Sequence, residues 1–214
     1  MLTYSKHMLT YKTLQSVVPS GYLLADDPPS KRMILKEALR LFARKGIDAV
    51  SVREIGDCAG YTNAALFKFF ATKDALALYL FERCYMALFE SLSDAARPDM
   101  LFVDQLHAIV TVFIAQIERD PDAFLFIQDQ LRSMWPRVSR SFRRHSILSL
   151  IRATLEQGVR EKKVCSSADL NLLIAAISGT LQQFARMLSF GEFRGPAANW
   201  SGELEQIIVR IVSP

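Results

Sequence analysis

Apolar residues recur along this chain at intervals of three and four positions, which is the spacing of one face of an α-helix. The first such face begins after Ser30 and ends at Gly46. Its apolar members are Ile34, Ala38, Leu41 and Phe42. No stretch shows the alternating pattern of a β-strand. We therefore predict an all-α chain.

Later helices follow from the same periodicity. The predicted segments are 72–94, 101–119, 120–135, 137–162, 166–190 and 199–212. Proline and glycine separate them, because proline disfavours a helical residue before it and glycine weakens a helix. An N-terminal three-helix unit precedes these segments. Its predicted core consists of Ile34, Leu41, Phe42, Ile47, Val52, Ile55, Leu66 and Phe70.

The stretch 51–74 carries the clearest local signals for helix ends. Ser51 and Glu54 have the spacing of a capping box, so a helix is predicted to begin directly after Ser51. Gly60 can adopt the left-handed conformation that ends a helix, and Thr62 can cap a second helix that opens at the next residue. Two short helices joined by a tight turn form a helix-turn-helix.

The second of these helices has a narrow apolar stripe and a small, partly polar outer face. The stripe consists of Leu66, Phe69 and Phe70, and the outer positions are Thr62, Asn63, Ala64, Phe67 and Lys68. A short helix with such a face suits the major groove of DNA. If the two short helices are considered without the rest of the chain, the alternative interpretation is an ordinary helical hairpin inside a bundle.

A longer pattern, S-x3-I-x3-AG-x-T-x3-LF-x-FF-x2-KD-x-L, runs through this stretch and follows an apolar, basic helix. With this pattern the chain resembles the TetR family of bacterial transcriptional regulators over about residues 30–76. The resemblance implies an N-terminal three-helix DNA-binding domain followed by a helical ligand-binding and dimerisation domain. It also implies a cytoplasmic regulator, by default a repressor, that releases its operator when a small molecule binds.

Four residues depart from the usual family pattern. Gly56 stands where the family commonly has alanine and Ala64 where it often has glycine, and we expect both replacements to be minor. Phe67 and Phe69 stand where the family usually has tyrosine or histidine, whose polar tips bind phosphate. Phenylalanine has no hydrogen-bond donor, so Lys68 is expected to carry more of the contact with the DNA backbone.

Charge is distributed unevenly along the 214 residues, whose net charge is +4. Residues 30–73 contain nine lysines and arginines against four acidic residues, a net +5, so the rest of the chain carries −1. A basic surface confined to this segment is typical of a phosphate-binding surface. The alternative function is a helical interaction protein whose basic N-terminal surface binds an acidic partner.

Several other classes of protein are not indicated by the sequence. The cysteines and histidines, Cys58, Cys84, Cys165, His7, His107 and His145, are isolated from one another. We therefore predict no enzyme, no metal site and no cofactor. No apolar run is long enough to cross a membrane, so no membrane partner is expected.

The predicted domains are a mobile arm at 1–29, a DNA-binding domain at 30–73 and an effector-binding and dimerisation domain at 74–214. The arm lacks helical periodicity and is expected to be dispensable for folding. Lys31 and Arg32 close it and are expected to reach a minor groove. The predicted DNA contacts are Lys31, Arg32, Ser51, Thr62, Asn63, Ala64, Phe67, Lys68 and Lys73.

Large aromatic and flexible side chains are frequent between residues 79 and 151, where the resemblance implies an effector pocket. The candidate lining residues are Tyr85, Phe89, His107, Phe113, Phe126, Gln130, Met134 and Trp135. For any single residue a place in the core is the more frequent outcome. We expect a medium-sized, mainly apolar or aromatic ligand and no strongly charged one.

A single helix-turn-helix reads few bases, so a homodimer is expected. Leu170, Ile174, Ile177, Leu181, Phe184 and Leu188 form a heptad seam in the helix 166–190. Leu172, Ala176 and Gly179 form a second face, and the last helix carries further exposed apolar residues. The predicted dimer interface contains Ile177, Leu181, Phe184, Leu204, Ile207 and Ile211. A terminal core helix is the alternative interpretation.

Overall fold

The computed structural model describes residues 21–214, and within this range the regular secondary structure is entirely helical, as predicted. The helices are α1 (Pro29–Lys45), α2 (Val52–Ala59), α3 (Asn63–Phe67), α4 (Lys73–Ala95), α5 (Phe102–Arg119), α6 (Pro121–Met134), α7 (Ile147–Arg160), α8 (Leu170–Ser189) and α9 (Ser201–Val212). Short 3₁₀ turns lie at Phe142–Arg144 and Ala197–Trp200. None of these helices is both long enough and apolar enough to cross a membrane.

The predicted helix 137–162 begins ten residues late, at Ile147. A separate short turn precedes it. The Ser139 hydroxyl accepts a hydrogen bond from the amide of Phe142 at 3.1 Å, and its carbonyl accepts one from the amide of Arg143 at 3.1 Å. The backbone then leaves the helical region at His145, with φ −87° and ψ 69°, so the predicted helix is interrupted there and α7 starts after it.

The helix predicted at 166–190 also starts later, because its cap is Asp169 and not Ser166. The Asp169 carboxylate accepts hydrogen bonds from the amides of Asn171 at 2.7 Å and Leu172 at 3.3 Å. A carboxylate at this position satisfies free amides and interacts favourably with the helix dipole. It therefore sets the first turn of α8.

The described chain packs as two compact units. The first unit consists of residues 21–90 and 120–149, and the second of residues 91–119 and 150–214. The first unit thus contains α1 to α3, most of α4, and α6. This packing division is not the functional division expected at residue 73, which stays a prediction.

The core of the first unit extends beyond the predicted three-helix core. Six of the eight predicted members are buried, whereas Ile47 and Val52 are only partly buried. Leu35 and Leu39 were not predicted but are fully buried, so α1 buries a wider face than expected. Phe42 of α1 stacks on Phe126 of α6 at 6.0 Å between ring centroids. Helix α6 therefore completes the core.

The second unit buries the heptad seam of α8. Its members Ile177, Leu181 and Phe184, with Leu204 of α9, are only 1–6% exposed. The protomer's own helices already cover these four side chains, so the prediction that they face a partner is wrong. An apolar seam at heptad spacing packs equally well inside one chain. Of the predicted interface, Ile207 is 48% exposed and Ile211 is partly exposed.

The described part of the expected arm is attached to the first unit. Arg83 of α4 donates hydrogen bonds to the carbonyls of Gly21 at 2.9 Å and Tyr22 at 3.5 Å. The buried Asp27 carboxylate accepts from the amide of Leu24 at 3.2 Å and from Lys31 Nζ at 2.7 Å. Burial raises the pKa of the Tyr22 hydroxyl. Residues 21–28 are therefore not a free arm, and the rest of the predicted arm, 1–20, lies outside the described residues.

We predict that these contacts stabilise the first unit. A chain that begins at Ser30 should be less stable than one that begins at Gly21, by about 2–3 kcal/mol, because it loses the burial of Tyr22 and the partners of Arg83 and Lys31. Urea unfolding of both chains measures the difference. Equal unfolding midpoints would show that residues 21–28 contribute nothing, as the sequence had suggested.

Candidate nucleic-acid interface

The turn between α2 and α3 has the predicted local geometry. The Ser51 hydroxyl accepts from the amide of Glu54 at 3.1 Å, and Thr62 Oγ1 accepts from the amide of Ala65 at 3.3 Å. Gly60 ends α2 with φ 73° and ψ 28°, in the left-handed region. Both caps and the turn are confirmed, and together they define a helix-turn-helix.

Gly56 allows α3 and its turn to lie directly against α2. A Cβ atom at this position would be 2.7 Å from the carbonyl oxygen of Tyr61 and 3.3 Å from Oδ1 of Asn63. The Tyr61 amide also donates to the Gly56 carbonyl at 2.9 Å. A backbone oxygen at 2.7 Å cannot be moved without shifting the turn, so the expectation that Gly56 is a minor departure is wrong.

The outer face of α3 is exposed, as the sequence predicted. Thr62, Asn63, Ala64, Phe67 and Lys68 are all exposed, whereas Leu66 and Phe70 are buried. Phe67 is a large aromatic side chain that is nevertheless 51% exposed. The ammonium group of Lys68 lies 6.0 Å from the ring centroid of Phe69. The helix therefore presents one amide, one cation and one aromatic ring to solvent.

Lys73 has a different role from the predicted DNA contact. Its ammonium group donates to the carbonyls of Ile47 and Val50, each at 2.7 Å, and lies 3.4 Å from the carbonyl of Asp48. These carbonyls belong to the turn between α1 and α2, while Lys73 is the first residue of α4. Lys73 therefore positions the helix-turn-helix on α4, and a phosphate contact is not assigned to it.

Acidic side chains neutralise most of the other basic residues in this segment. Four ion pairs are Arg40–Glu37, Arg44–Asp122, Lys45–Glu54 and Arg53–Asp57. Lys31 pairs with Asp27 and also donates to the Tyr79 hydroxyl at 3.1 Å, so it is not assigned to a minor groove. Within the described chain, Arg32, Lys36 and Lys68 have no acidic partner within 4.0 Å. Lys36 was not among the predicted DNA contacts.

Asp74, the next residue of α4, receives a bidentate ion pair. Arg137 donates from Nη1 at 3.0 Å and from Nη2 at 2.5 Å to the two carboxylate oxygens. This guanidinium holds the pKa of the Asp74 carboxyl below its ordinary value. The segment that follows α6 is thereby attached to the start of α4, beside Lys73.

Part of the predicted effector region forms an aromatic cluster in the first unit. Tyr85 lies 5.1 Å from Trp135 and 5.6 Å from Phe142 between ring centroids. Phe89 contacts His145 edge to face at 5.4 Å. Phe142 and His145 were not among the candidate lining residues. We call these five residues the aromatic cluster.

The other candidate effector residues lie elsewhere. Phe126 stacks in the core of the first unit, Met134 is buried with its sulfur 3.5 Å from Arg137 Nη1, and Gln130 Oε1 accepts from Ser133. Phe113 belongs to the second unit, where it is buried.

His107 also belongs to the second unit, and Glu205 gives it a structural partner. Nδ1 of His107 lies 2.8 Å from the buried Glu205 carboxylate, and this hydrogen bond raises the pKa of the imidazole. The pair joins α5 to α9. A histidine held in this way is a structural residue, so it is not carried forward as an effector contact.

The expectation that the ligand carries no strong charge stays a prediction, although several arginines lie near the aromatic cluster along the chain. Arg137, Arg140, Arg143 and Arg144 lie in the same short segment as Phe142 and His145. The sequence pattern hid this arrangement, because a continuous helix would have distributed these arginines around its circumference.

Comparison with known proteins agrees with this geometry. Residues 34–80 match the family model for bacterial regulatory proteins, tetR family. No curated protein sequence shows a significant match to this chain.

Solved structures share the fold. The ketosteroid transcriptional regulator KstR2 of Mycobacterium tuberculosis is 19% identical, with a TM-score of 0.75 over 89% of this chain and 97% of that chain. The transcriptional regulator FadR from Bacillus subtilis, in complex with stearoyl-CoA, is 15% identical, with a TM-score of 0.71 over 84% and 98% of the two chains. PfmR from Thermus thermophilus is 24% identical, with a TM-score of 0.68 over 83% and 97%.

A capped helix-turn-helix on an all-helical chain is the architecture of one class of DNA-binding proteins. The segment 34–80 matches the tetR family model, so this part of the chain is similar to the DNA-binding domain of that family, as the resemblance predicted. The solved structures, at these low identities, establish the fold.

We predict that Gly56→Ala lowers the free energy of unfolding by about 1–3 kcal/mol, because the added methyl group would displace the Tyr61 carbonyl. Gly202→Ala is the matched control. It adds the same group to a helix where nothing lies within 4 Å, so stability should be unchanged or slightly higher. Thermal or urea unfolding measures both. An increase in stability for Gly56→Ala would show that the turn adjusts without strain.

Proposed function

We propose that this protein is a dimeric transcriptional regulator, by default a repressor, that binds an operator through α3 and releases it when a small molecule binds. The exposed outer face of α3, held by two caps and by Gly56, is the observation that carries the proposal. The match of residues 34–80 to the tetR family model supports it, since that family consists of transcriptional regulators. A regulator of this kind acts in the bacterial cytoplasm.

Each exposed group on the interface has a distinct proposed role. Asn63 at the start of α3 reads an adenine edge through its amide, and Phe67 contacts a thymine methyl group. Lys68 and Arg32 bind backbone phosphates, as does Lys36, because no acidic residue in the described chain neutralises them.

Three small residues of the predicted interface, Ser51, Thr62 and Ala64, are proposed to lie close to the DNA. Ser51 and Thr62 use their oxygen atoms as helix caps and keep a hydroxyl hydrogen for a phosphate. Ala64 permits close approach of α3 to the bases, because its side chain is a single methyl group. These three residues therefore stay in the proposed interface.

The proposed effector is a molecule with a substantial apolar part that binds at the aromatic cluster. Two structural relatives support this class of ligand, since FadR from Bacillus subtilis holds stearoyl-CoA and KstR2 is a ketosteroid regulator. Tyr85, Trp135 and Phe89 are the members of the cluster that the sequence had already indicated.

A short series of contacts within the first unit offers a route from effector to DNA. Trp135 is two residues from Arg137, which holds Asp74, and the neighbouring Lys73 holds the turn before α2. An effector that binds better when Arg137 has left Asp74 would favour a second position of the helix-turn-helix. Such differential binding is the condition for release.

The proposed dimer surface is the face of α8 and α9 that the protomer leaves exposed. Leu172 is 71% exposed, Ile207 is 48% exposed, and a Cβ at Gly179 would meet nothing within 4 Å. Apolar side chains around a small residue permit two copies of a helix pair to approach closely. This surface replaces the buried seam as the proposed contact.

We predict different effects of three substitutions on operator binding. Lys68→Ala should weaken binding to all sequences and reduce the salt slope by about one, whereas Asn63→Ala should cost about 1–3 kcal/mol at a single base position. Lys73→Met should instead lower the melting temperature, because it removes the ammonium group that donates to the carbonyls of Ile47 and Val50.

Footprinting on the DNA around the protein's own gene supplies the operator, and fluorescence titration at several salt concentrations gives the slopes. Lys162→Ala, an exposed lysine of the second unit, is the control and should leave the slope unchanged. Absence of any sequence-selective footprint would favour the alternative function, an interaction protein that binds an acidic partner.

We predict that Leu172→Arg combined with Ile207→Arg gives a folded monomer with weakened operator binding, because both side chains are exposed in the protomer. Analytical ultracentrifugation measures the assembly state. Leu101→Arg changes another exposed apolar residue of the second unit and should leave the dimer intact. A dimeric double variant would place the interface elsewhere.

A further inference from the structure

The segment between α6 and α7 contains an unusual concentration of arginine. From Gln130 to Leu155 the chain has no acidic residue and no lysine. Its basic residues are Arg132, Arg137, Arg140, Arg143, Arg144 and Arg152. We call residues 137–145 the arginine segment. The guanidinium group binds phosphate through two parallel hydrogen bonds, whereas an ammonium group acts as a point charge.

Within the arginine segment, three of the four arginines are exposed and not neutralised. Arg137 has the Asp74 carboxylate as its partner. Arg140, Arg143 and Arg144 make no ion pair within 4.0 Å anywhere in residues 21–214. Most bases of α1 to α3, by contrast, have acidic partners. The arginine segment therefore keeps a local charge of +3 that the described protein does not compensate.

The backbone of the arginine segment is held in place. Besides the two bonds to Ser139, the amide of His145 donates to the Phe142 carbonyl at 2.9 Å, and the amide of Ile147 donates to the Tyr85 hydroxyl at 3.1 Å. The rings of Phe142 and His145 contact Tyr85 and Phe89 of α4. The arginines are thus arranged on an ordered turn and not on a free loop.

The charged and apolar groups are neighbours. Arg143 directly follows Phe142 and Arg144 directly precedes His145, and consecutive Cα atoms are about 3.8 Å apart. The chain positions that carry these arginines are therefore directly next to two rings of the aromatic cluster, within reach of one ligand that has an apolar and a polar end. Three arginines without an acid attract an anion, and a phosphate is the group whose geometry they fit best.

We propose that Arg140, Arg143 and Arg144 form a phosphate-binding site for an amphiphilic ligand whose apolar part packs against the aromatic cluster. The inference deepens the proposed function, on which it rests for the role of that ligand as effector. The DNA backbone is the other source of phosphate. It is disfavoured here because duplex phosphates offer no apolar group for the adjacent rings.

The test compares ligands that differ only by a phosphate group. The pairs are 1-naphthyl phosphate with 1-naphthol and dodecyl phosphate with 1-dodecanol, each titrated by calorimetry into the full-length protein. In at least one pair the wild type should bind the phosphate at least about tenfold more tightly. In Arg140→Gln with Arg143→Gln and Arg144→Gln, this preference should fall below about threefold, while affinity for the alcohol is unchanged.

A charge-matched control separates the site from general electrostatics. Lys163→Gln with Arg194→Gln and Arg210→Gln removes the same charge from exposed positions of the second unit and should keep the preference. A preference below tenfold in both pairs, or one retained by the arginine variant, overturns the proposal.

Operator binding by the same proteins distinguishes the remaining outcomes. If the arginine variant reduces the salt slope of operator binding by about three and keeps the ligand preference, the segment binds DNA and the proposal fails. If the wild type binds no operator but prefers the phosphate over the alcohol, and the arginine variant loses this preference, the proposed function is wrong and the phosphate-binding site is supported.

Discussion

The position of the helix-turn-helix depends on one ammonium group. Lys73 donates to two carbonyls of the turn between α1 and α2, and without it the Ile47 oxygen would keep only the bond from the Val50 amide at 3.3 Å, while the Val50 oxygen would lose this donor. Because Lys73 is also the first residue of α4, the start of that helix and the turn cannot move independently. The adjacent ion pair from Arg137 to Asp74 attaches a second segment to the same point. Three parts of the first unit thus meet within two residues of α4.

A shared core makes this arrangement cooperative. Helix α1 buries a wider face than a three-helix unit requires, and the ring of Phe42 stacks on Phe126 of α6. The helices that present α3 are therefore packed together with residues from the middle of the chain. An effector that shifts α6 or its following segment would act on the same packed core that supports the reading helix.

Local signals predicted much of the fold, and long-range contacts account for what they missed. The caps at Ser51 and Thr62 and the turn at Gly60 depend on neighbours within four residues, so the sequence shows them directly. The partners of Lys73 lie more than twenty residues away, and no periodicity indicates them. The heptad spacing of apolar residues in α8 is the same whether the helix packs against its own chain or against a second protomer, so the sequence alone does not distinguish the two. The break before α7 lies at His145, where the backbone leaves the helical region, and a hydrophobic pattern does not register it.

Gly56 has a consequence for any attempt to exchange reading helices among relatives. The separation of α2 and α3 is set by the absence of a side chain at position 56, where the family commonly has alanine. In a chimera that takes α2 with such an alanine from a relative and keeps this turn, the added methyl group would press on the Tyr61 carbonyl. An exchange of α2 or α3 therefore has to include residue 56 together with the turn that packs on it.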